Sequence, residues 1–432
     1  MSILKNMRLG LLHVGVAMTF VLINGVLNRV MIDNLGILAS VMAIFVVLPY
    51  VLSPLQVWIG QYSDTHPFFG YRRTPYIALG ILLCTIGLVL TPHAAFSIAE
   101  NGVRGAPLAV IAFGLWGFGY NLAVVTYLSL ASDLSTEKNR SRTIAVMWFM
   151  MISGIIATSI IVGIALENYS HAQLINVFNV TALIILGLAL LGLVGVEPRY
   201  QDRPSQSRES QRAAIQAIVT NPQARLFFTY LILLLATIQG QDVLLEPFGG
   251  QVFGMDEQET TFLTAIWGSA TLIALLFYGF VLSRWLDKKR GAMLGGSIAI
   301  AGLILIVASG VLTNTSLFIT GISALGFGTG IATSTNLGLM LDMTTPEQAG
   351  LFIGAWGLAD ALARGTGTLL GGVMRDVVTY LTNSINIGYV SVFFVQALML
   401  VISLIMLRYI NVTAFRDNQP SLTELVAIQG DV

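Results

Sequence analysis

A chain of 432 residues that is 55% hydrophobic and only 10% charged, with a mean hydropathy of +0.80, cannot clothe a water-facing surface. Soluble proteins devote about a quarter of their residues to charge, so the composition excludes a soluble globule and describes an all-α integral membrane protein. A formal net charge of zero without a basic tail offers no footprint for nucleic acid, and the single cysteine, Cys84, excludes an internal disulfide.

Crossing a hydrocarbon core about 30 Å thick takes roughly 20 apolar residues per helix. Such stretches are predicted near 10–32, 37–62, 74–94, 106–132, 143–166, 174–196, 224–247, 260–283, 291–311, 316–341, 347–372 and 385–410, which makes twelve helices. The first follows "MSILKNMRLG", is too long for a signal-peptide core and has no cleavage site behind it, so it reads as a retained helix. The longest polar interruption, beginning "EPRYQDRPSQSRESQR", divides the twelve into six and six. The expected organisation is an N-terminal half over 1–196, a linker over 197–223, a C-terminal half over 224–410 and a mobile tail over 411–432.

Lysine and arginine gather on one side. Lys5, Arg8, Arg72, Arg73, Lys138, Arg140, Arg142, the arginines of the linker, Arg284, Lys288, Lys289, Arg290, Arg408 and Arg416 lie at the termini or in the even-to-odd loops. Only Arg104 and Arg375 fall in loops of the opposite side, so the positive-inside rule places both termini and the linker in the cytoplasm.

The halves also resemble each other. "GFGYNLAVVTYLSLASDLST" (117–136) aligns without gaps on "GFGTGIATSTNLGLMLDMTT" (326–345) at an offset of 209, pairing Gly117 with Gly326, Thr126 with Thr335 and Asp133 with Asp342. A duplicated six-helix unit with a path between the halves resembles the major facilitator superfamily. After helix two comes "GQYSDTHPFFGYRRTP" and after helix eight "SRWLDKKRGA": an acid at a helix end, then a basic cluster and a glycine. This resembles the superfamily's loop motif, and the resemblance implies a cytoplasmic gate in which Asp64 and Asp287 bind free N–H groups of a neighbouring helix and pair with Arg72, Arg73 and Arg290. The pattern departs from the motif at Ser283 and in the longer "THPFF".

Charges inside a membrane are costly unless paired, so each is a functional candidate. At 1.5 Å per residue, Arg29 lies about 32 Å along helix one, Asp242 and Glu246 about 26 and 32 Å along helix seven, and Asp360 and Arg364 about 20 and 26 Å along helix eleven. Asp242 and Glu246, four residues apart, share one helix face. Gln239 and Gln241 extend that polar strip, and Pro247 with Gly249 and Gly250 ends the helix beside it. The expectation is an outer gate in which Arg29 pairs with Asp242 or Glu246, while Asp360 and Arg364 pair within their own helix; the plainer reading is a set of static clips. Asn24, Asn28, Asn121 and Asn336 either line the path or bridge helices. His13 is chemically able to ligate a chlorophyll magnesium, although a packed or hydrogen-bonded histidine is the plainer reading.

"INGVLNRVMIDNLG" (23–36), "LPYVLSPLQVWIGQYSDTHPFFGYRRTPYIALG" (48–80), "QDVLLEPFGGQVFG" (241–254), "TTFLTAIWG" (260–268) and "GLFIGAWGLADALARGTGTLLGG" (350–372) together resemble the PucC/LhaA family across both halves. The resemblance implies a membrane assembly factor for chlorophyll-binding light-harvesting or photosystem polypeptides, with chlorophyll or bacteriochlorophyll as the pigment it binds or delivers, in a thylakoid, intracytoplasmic or plasma membrane. The alternative is a small-solute carrier similar to folate and pterin transporters, proton-coupled through Asp242, Glu246 or Asp360. An enzyme is not expected: a membrane prenyltransferase needs an aspartate-rich magnesium site of the type Asn-Asp-x-x-Asp, and the sequence contains none.

Overall fold

The computed structural model describes residues 3–135, 137–199, 221–343 and 349–411. Expectations for the linker beyond Arg199, for the tail beyond Asn411, and for the side chains of Asp64, Lys138, Arg140 and Asp342 lie outside the described residues. Among those described there is no β-strand, and every named element is helical.

Helix α1 (Ile3–Phe20) continues into two π-helical turns, Val21–Leu27 and Val30–Asn34. There follow α2 (Ala39–Val51), α3 (Leu55–Thr65), α4 (Thr74–Asn101), α5 (Ala106–Leu134), α6 (Glu137–Ala165) and α7 (His171–Leu193). Next come α8 (Pro222–Gly240), α9 (Leu245–Phe253), α10 (Glu257–Phe280), α11 (Lys288–Leu312), α12 (Thr315–Met343), α13 (Ala349–Thr382) and α14 (Ile385–Tyr409). Nine stretches of the described residues are long and apolar enough to cross a membrane, one of them running through α4 and α5 from Thr74 to Leu134.

Three expected helices differ from their prediction, each for a local reason. The single segment over 37–62 is two helices, because Pro54 has no N–H for the Tyr50 carbonyl and that carbonyl instead accepts from Ser53 N at 3.1 Å. The segment over 224–247 breaks at Gln241–Leu244, so Asp242 lies in a turn and Glu246 in the first turn of α9; the two do not share the face of one continuous helix. Pro247, expected to end a helix, stands near the start of α9, where a missing N–H is tolerated. Helix α13 runs to Thr382, so Arg375 is a helical residue rather than a loop residue.

The chain packs into two compact units. The first comprises Met1–Ser205, Asp242–Ser269 and Thr368–Tyr389, and the second comprises Gln206–Gln241, Ala270–Gly367 and Val390–Val432. These bounds differ from the sequence halves, since the first unit takes in α9, the start of α10 and the end of α13.

Each unit contains a long seam of backbone against backbone. In the first, a Cβ added to Gly80 of α4 would stand 2.5 Å from Ala123 N of α5; in the second, one added to Gly295 of α11 would stand 2.7 Å from Ala332 N of α12. The correspondence continues along the helices: Gly87 abuts Trp116 as Gly302 abuts Leu325, and Gly119 abuts Cys84 as Gly328 abuts Ala299. Small residues let helices in lipid approach closely and gain dispersion contacts. Thr126 and Thr335 bond back into their own helices alike, to Leu122 O and Ala123 O and to Ile331 O and Ala332 O. The internal repeat is therefore a repeat of packing as well as of letters.

Candidate functional site: a charged cluster on the π-helical segment

In the first unit a cluster of ionisable groups lies where α1 widens into π turns. Wide turns leave backbone groups poorly matched and recur at functional sites. Arg29, between the two π turns and only 4% exposed, bonds Asp33 Oδ2 at 3.0 Å, Glu257 Oε1 at 2.6 Å, Asn34 Oδ1 at 2.7 Å and the Met255 carbonyl at 2.9 Å. Its partners are thus Asp33 and Glu257, not Asp242 or Glu246 as the spacing suggested. The break in the helix after Gly240 is the cause, since it removes the continuous helix on which that depth estimate rested.

Glu257 is placed by a capping box. Asp256 Oδ1 accepts from Glu259 N at 2.8 Å, and Glu259 Oε2 accepts from Asp256 N at 3.1 Å, which fixes the start of α10 and turns Glu257 toward Arg29. Beside it Tyr169, in the turn between α6 and α7, has its phenol pushed up to about 12 by burial and by the Glu257 carboxylate, with Arg29 opposing.

Glu246 is 2% exposed and accepts from the Thr264 hydroxyl at 2.6 Å. Two glycines make room for the acids. A Cβ on Gly25 would stand 2.5 Å from Glu246 Oε1, and a Cβ on Gly250 would collide with Asp33 Oδ2. Asn28 donates Nδ2 to Val243 O at 2.7 Å, bridging the π segment to the turn before α9. Asn24 Oδ1 is buried without a partner.

A second arm of the cluster runs through Gln251. Its amide donates to Ile32 O at 3.1 Å, while its Oε1 accepts from Arg375 and from Tyr389 OH. Arg375 pairs with Asp376 at 2.8 Å and lies over the Tyr389 ring at 4.8 Å. Asp376 in turn accepts from Ala39 N at 3.3 Å and Ser40 N at 2.7 Å, capping α2.

The other sequence candidates resolve separately. Within the second unit, Arg364 pairs with Asp360 at 3.1 Å as expected, and Gln239 Nε2 donates to Asp360 Oδ1 at 2.8 Å. Gln241 donates to Ile238 O at 3.0 Å. Asn336 accepts from Tyr230 OH at 2.6 Å, and Asn121 donates to Pro49 O and Gly117 O, so both bond within the bundle.

The basic-loop motif also departs from expectation. Asp287 caps its own helix by accepting from Arg290 N at 2.8 Å and meets the Arg290 side chain at 3.3 Å; among the described residues it makes no hydrogen bond to a neighbouring helix. Its place at the start of α11, three residues before Arg290, makes that local bond the shorter route. In the first copy Arg73 is buried against Asp133 at 3.3 Å and Ser63 Oγ at 2.5 Å. Glu197 takes the backbone N–H groups of Arg72, Arg73 and Thr74, capping α4.

Sequence reasoning did not single out Asp33, Glu257, Gln251, Asp376 or Glu197. Two of them carried a signal: Asp33 lies four residues after Arg29, and Glu257 sits inside a box of acids heading an apolar run.

His13 is buried, 9% exposed, with Tyr127 and Trp148 ring centroids at 5.3 and 6.0 Å, and its Nδ1 has no hydrogen-bond partner.

Membrane-length helices, a broken helix and a buried charged cluster define an integral, multi-pass membrane protein. Its fold is that of the major facilitator transporters. A bacterial homologue of the human lysosomal transporter Spinster, solved inward-facing and occupied, superposes with a TM-score of 0.72 at 13% identity, covering 96% of this chain and 98% of that one. The family described as "PUCC protein" matches residues 26–415, and the chain belongs to that family. Protein PucC of Rhodovulum sulfidophilum is 34% identical, covering 88% of this chain and 87% of the relative. Protein PucC of Cereibacter sphaeroides is 32% identical over 93% and 91%. A Rhodobacter capsulatus protein named "Bacteriochlorophyll synthase 44.5 kDa chain" is 30% identical over 93% and 94%.

Proposed function

We propose that the protein is a membrane assembly factor for chlorophyll-binding light-harvesting or photosystem polypeptides and that it binds pigment or delivers it to them. Membership of the PUCC family across nearly the whole chain carries this reading, and the relative named for bacteriochlorophyll agrees with it. Pigment enters as cargo rather than as a resident cofactor, and no catalytic step is assigned. The reading includes twelve crossings in a photosynthetic or plasma membrane, with both termini and the linker in the cytoplasm, on the distribution of lysine and arginine.

The test is an absorption spectrum of tagged protein purified in mild detergent from a pigment-making phototroph, beside the same protein from a pigment-free host. A chlorophyll band co-eluting in fixed proportion, together with antenna polypeptides, is the expected result. A colourless protein without such polypeptides overturns it in favour of a small-solute carrier, the reading supported by the transporter fold.

A further inference from the structure

The π-helical segment and the turn it faces hold three buried oxygens without a donor: Asn24 Oδ1, Asn28 Oδ1 and Glu246 Oε2. All three are acceptors, and buried polar atoms in folded proteins are almost always hydrogen-bonded. Gly25 lies against the Glu246 carboxylate, and Asn28, three residues on, holds Val243, three residues before Glu246. The carboxylate and the Asn28 amide therefore lie on the same side of the segment.

Charge points the same way. Arg29 already carries two carboxylates, Asp33 and Glu257. Its Nε has no partner, but it faces the other glycine, lying 3.3 Å from where a Gly250 Cβ would be. Arg375 is taken by Asp376 and Gln251. From the elements around Glu246, Asp242, Asp256, Glu259 and Tyr169 contribute no positive charge. An ionised Glu246 would be a third anion beside one guanidinium, held by a single hydroxyl. Hard metal cations gather about six or more oxygens, whereas a proton needs only one acceptor.

We propose that Glu246 is a proton-binding site: Oε2 carries the proton and its O–H donates a hydrogen bond to an amide oxygen of the Asn24–Asn28 face, while Oε1 accepts from Thr264. Parting of the Arg29 cluster hydrates the carboxyl, and the proton passes to water, leaving a carboxylate. Movement of this region is thereby coupled to proton release, whatever the protein carries, so the inference stands or falls apart from the pigment reading.

Difference infrared spectroscopy of the full chain in lipid nanodiscs tests it. At neutral pH the wild type is expected to show the C=O stretch of a protonated carboxyl that is lost in Glu246→Gln and shifted in Thr264→Val. Absence of a Glu246-dependent band, or its disappearance on adding sodium at constant pH, overturns the proposal, the latter outcome indicating a metal-cation site. Thermal unfolding supplies a check independent of band assignment. Glu246→Gln, which mimics the protonated acid, is expected to lose less stability than wild type on going from neutral to alkaline pH, and equal losses in the two proteins also overturn the proposal.

Discussion

The Asn28 side chain supplies to the Val243 carbonyl the hydrogen bond that Pro247 cannot. In an α-helix the N–H of residue 247 would meet the carbonyl of residue 243; the ladder of α9 instead begins with Phe248 N to Leu244 O at 2.9 Å, and Asn28 Nδ2 reaches Val243 O at 2.7 Å. Asn28→Leu leaves that buried carbonyl bare and is expected to cost about 1–3 kcal/mol. Combined with Pro247→Ala, which restores an N–H, the loss should be smaller than the sum of the single changes. Thermal unfolding in detergent around a double-mutant cycle reads the difference.

Charge swaps distinguish the partners of Arg29. Arg29→Glu removes the cation from a buried pair, a change of about 3–5 kcal/mol, and places a third carboxylate beside Asp33 and Glu257. Glu257→Arg in the same chain should recover part of the loss of folded yield, whereas Glu246→Arg should recover none. Monodisperse protein measured by gel filtration is the readout, and rescue by Glu246→Arg would return the cluster to the pairing first expected from sequence.

Gly25 and Gly250 reverse the usual trend of helix propensity. Gly→Ala in a helix ordinarily gains about 1 kcal/mol, but here the added methyl would meet Glu246 or Asp33. Both substitutions should lower the unfolding temperature, while Gly114→Ala in α5, with open space around its Cβ position, should not.

Alkali should weaken the Tyr169 region. Because the folded phenol titrates at about 12 against 10.0 for the free side chain, stability is complete below the lower value and is lost as the pH rises between the two. Tyr169→Phe removes this contribution, and its unfolding temperature should fall less steeply over that window.

Much of the fold was legible in the letters, because long apolar runs leave a chain little choice but helices. The internal repeat was legible too, since glycine spacing dictates the α4–α5 and α11–α12 seams directly. The Asp360–Arg364 pair followed from helical spacing alone. The partners of Arg29 did not. Their prediction extended a helix through Gln241–Leu244, and depth along a helix loses its meaning once the helix breaks. Arg375 was misplaced for the opposite reason, as a charge near the end of an apolar run was taken for a loop when α13 continues seven residues beyond it, to Thr382.

The glycine seams carry a mechanical consequence. Where backbone lies directly on backbone, as at Gly80 with Ala123 and Gly295 with Ala332, there are no interposed rotamers to reshuffle and little slack to absorb sliding. Each helix pair behaves as a single stiff beam. Bending is left to the joints: the step at Leu52–Pro54 and the open turn at Gln241–Leu244, where the ladder of hydrogen bonds is already interrupted.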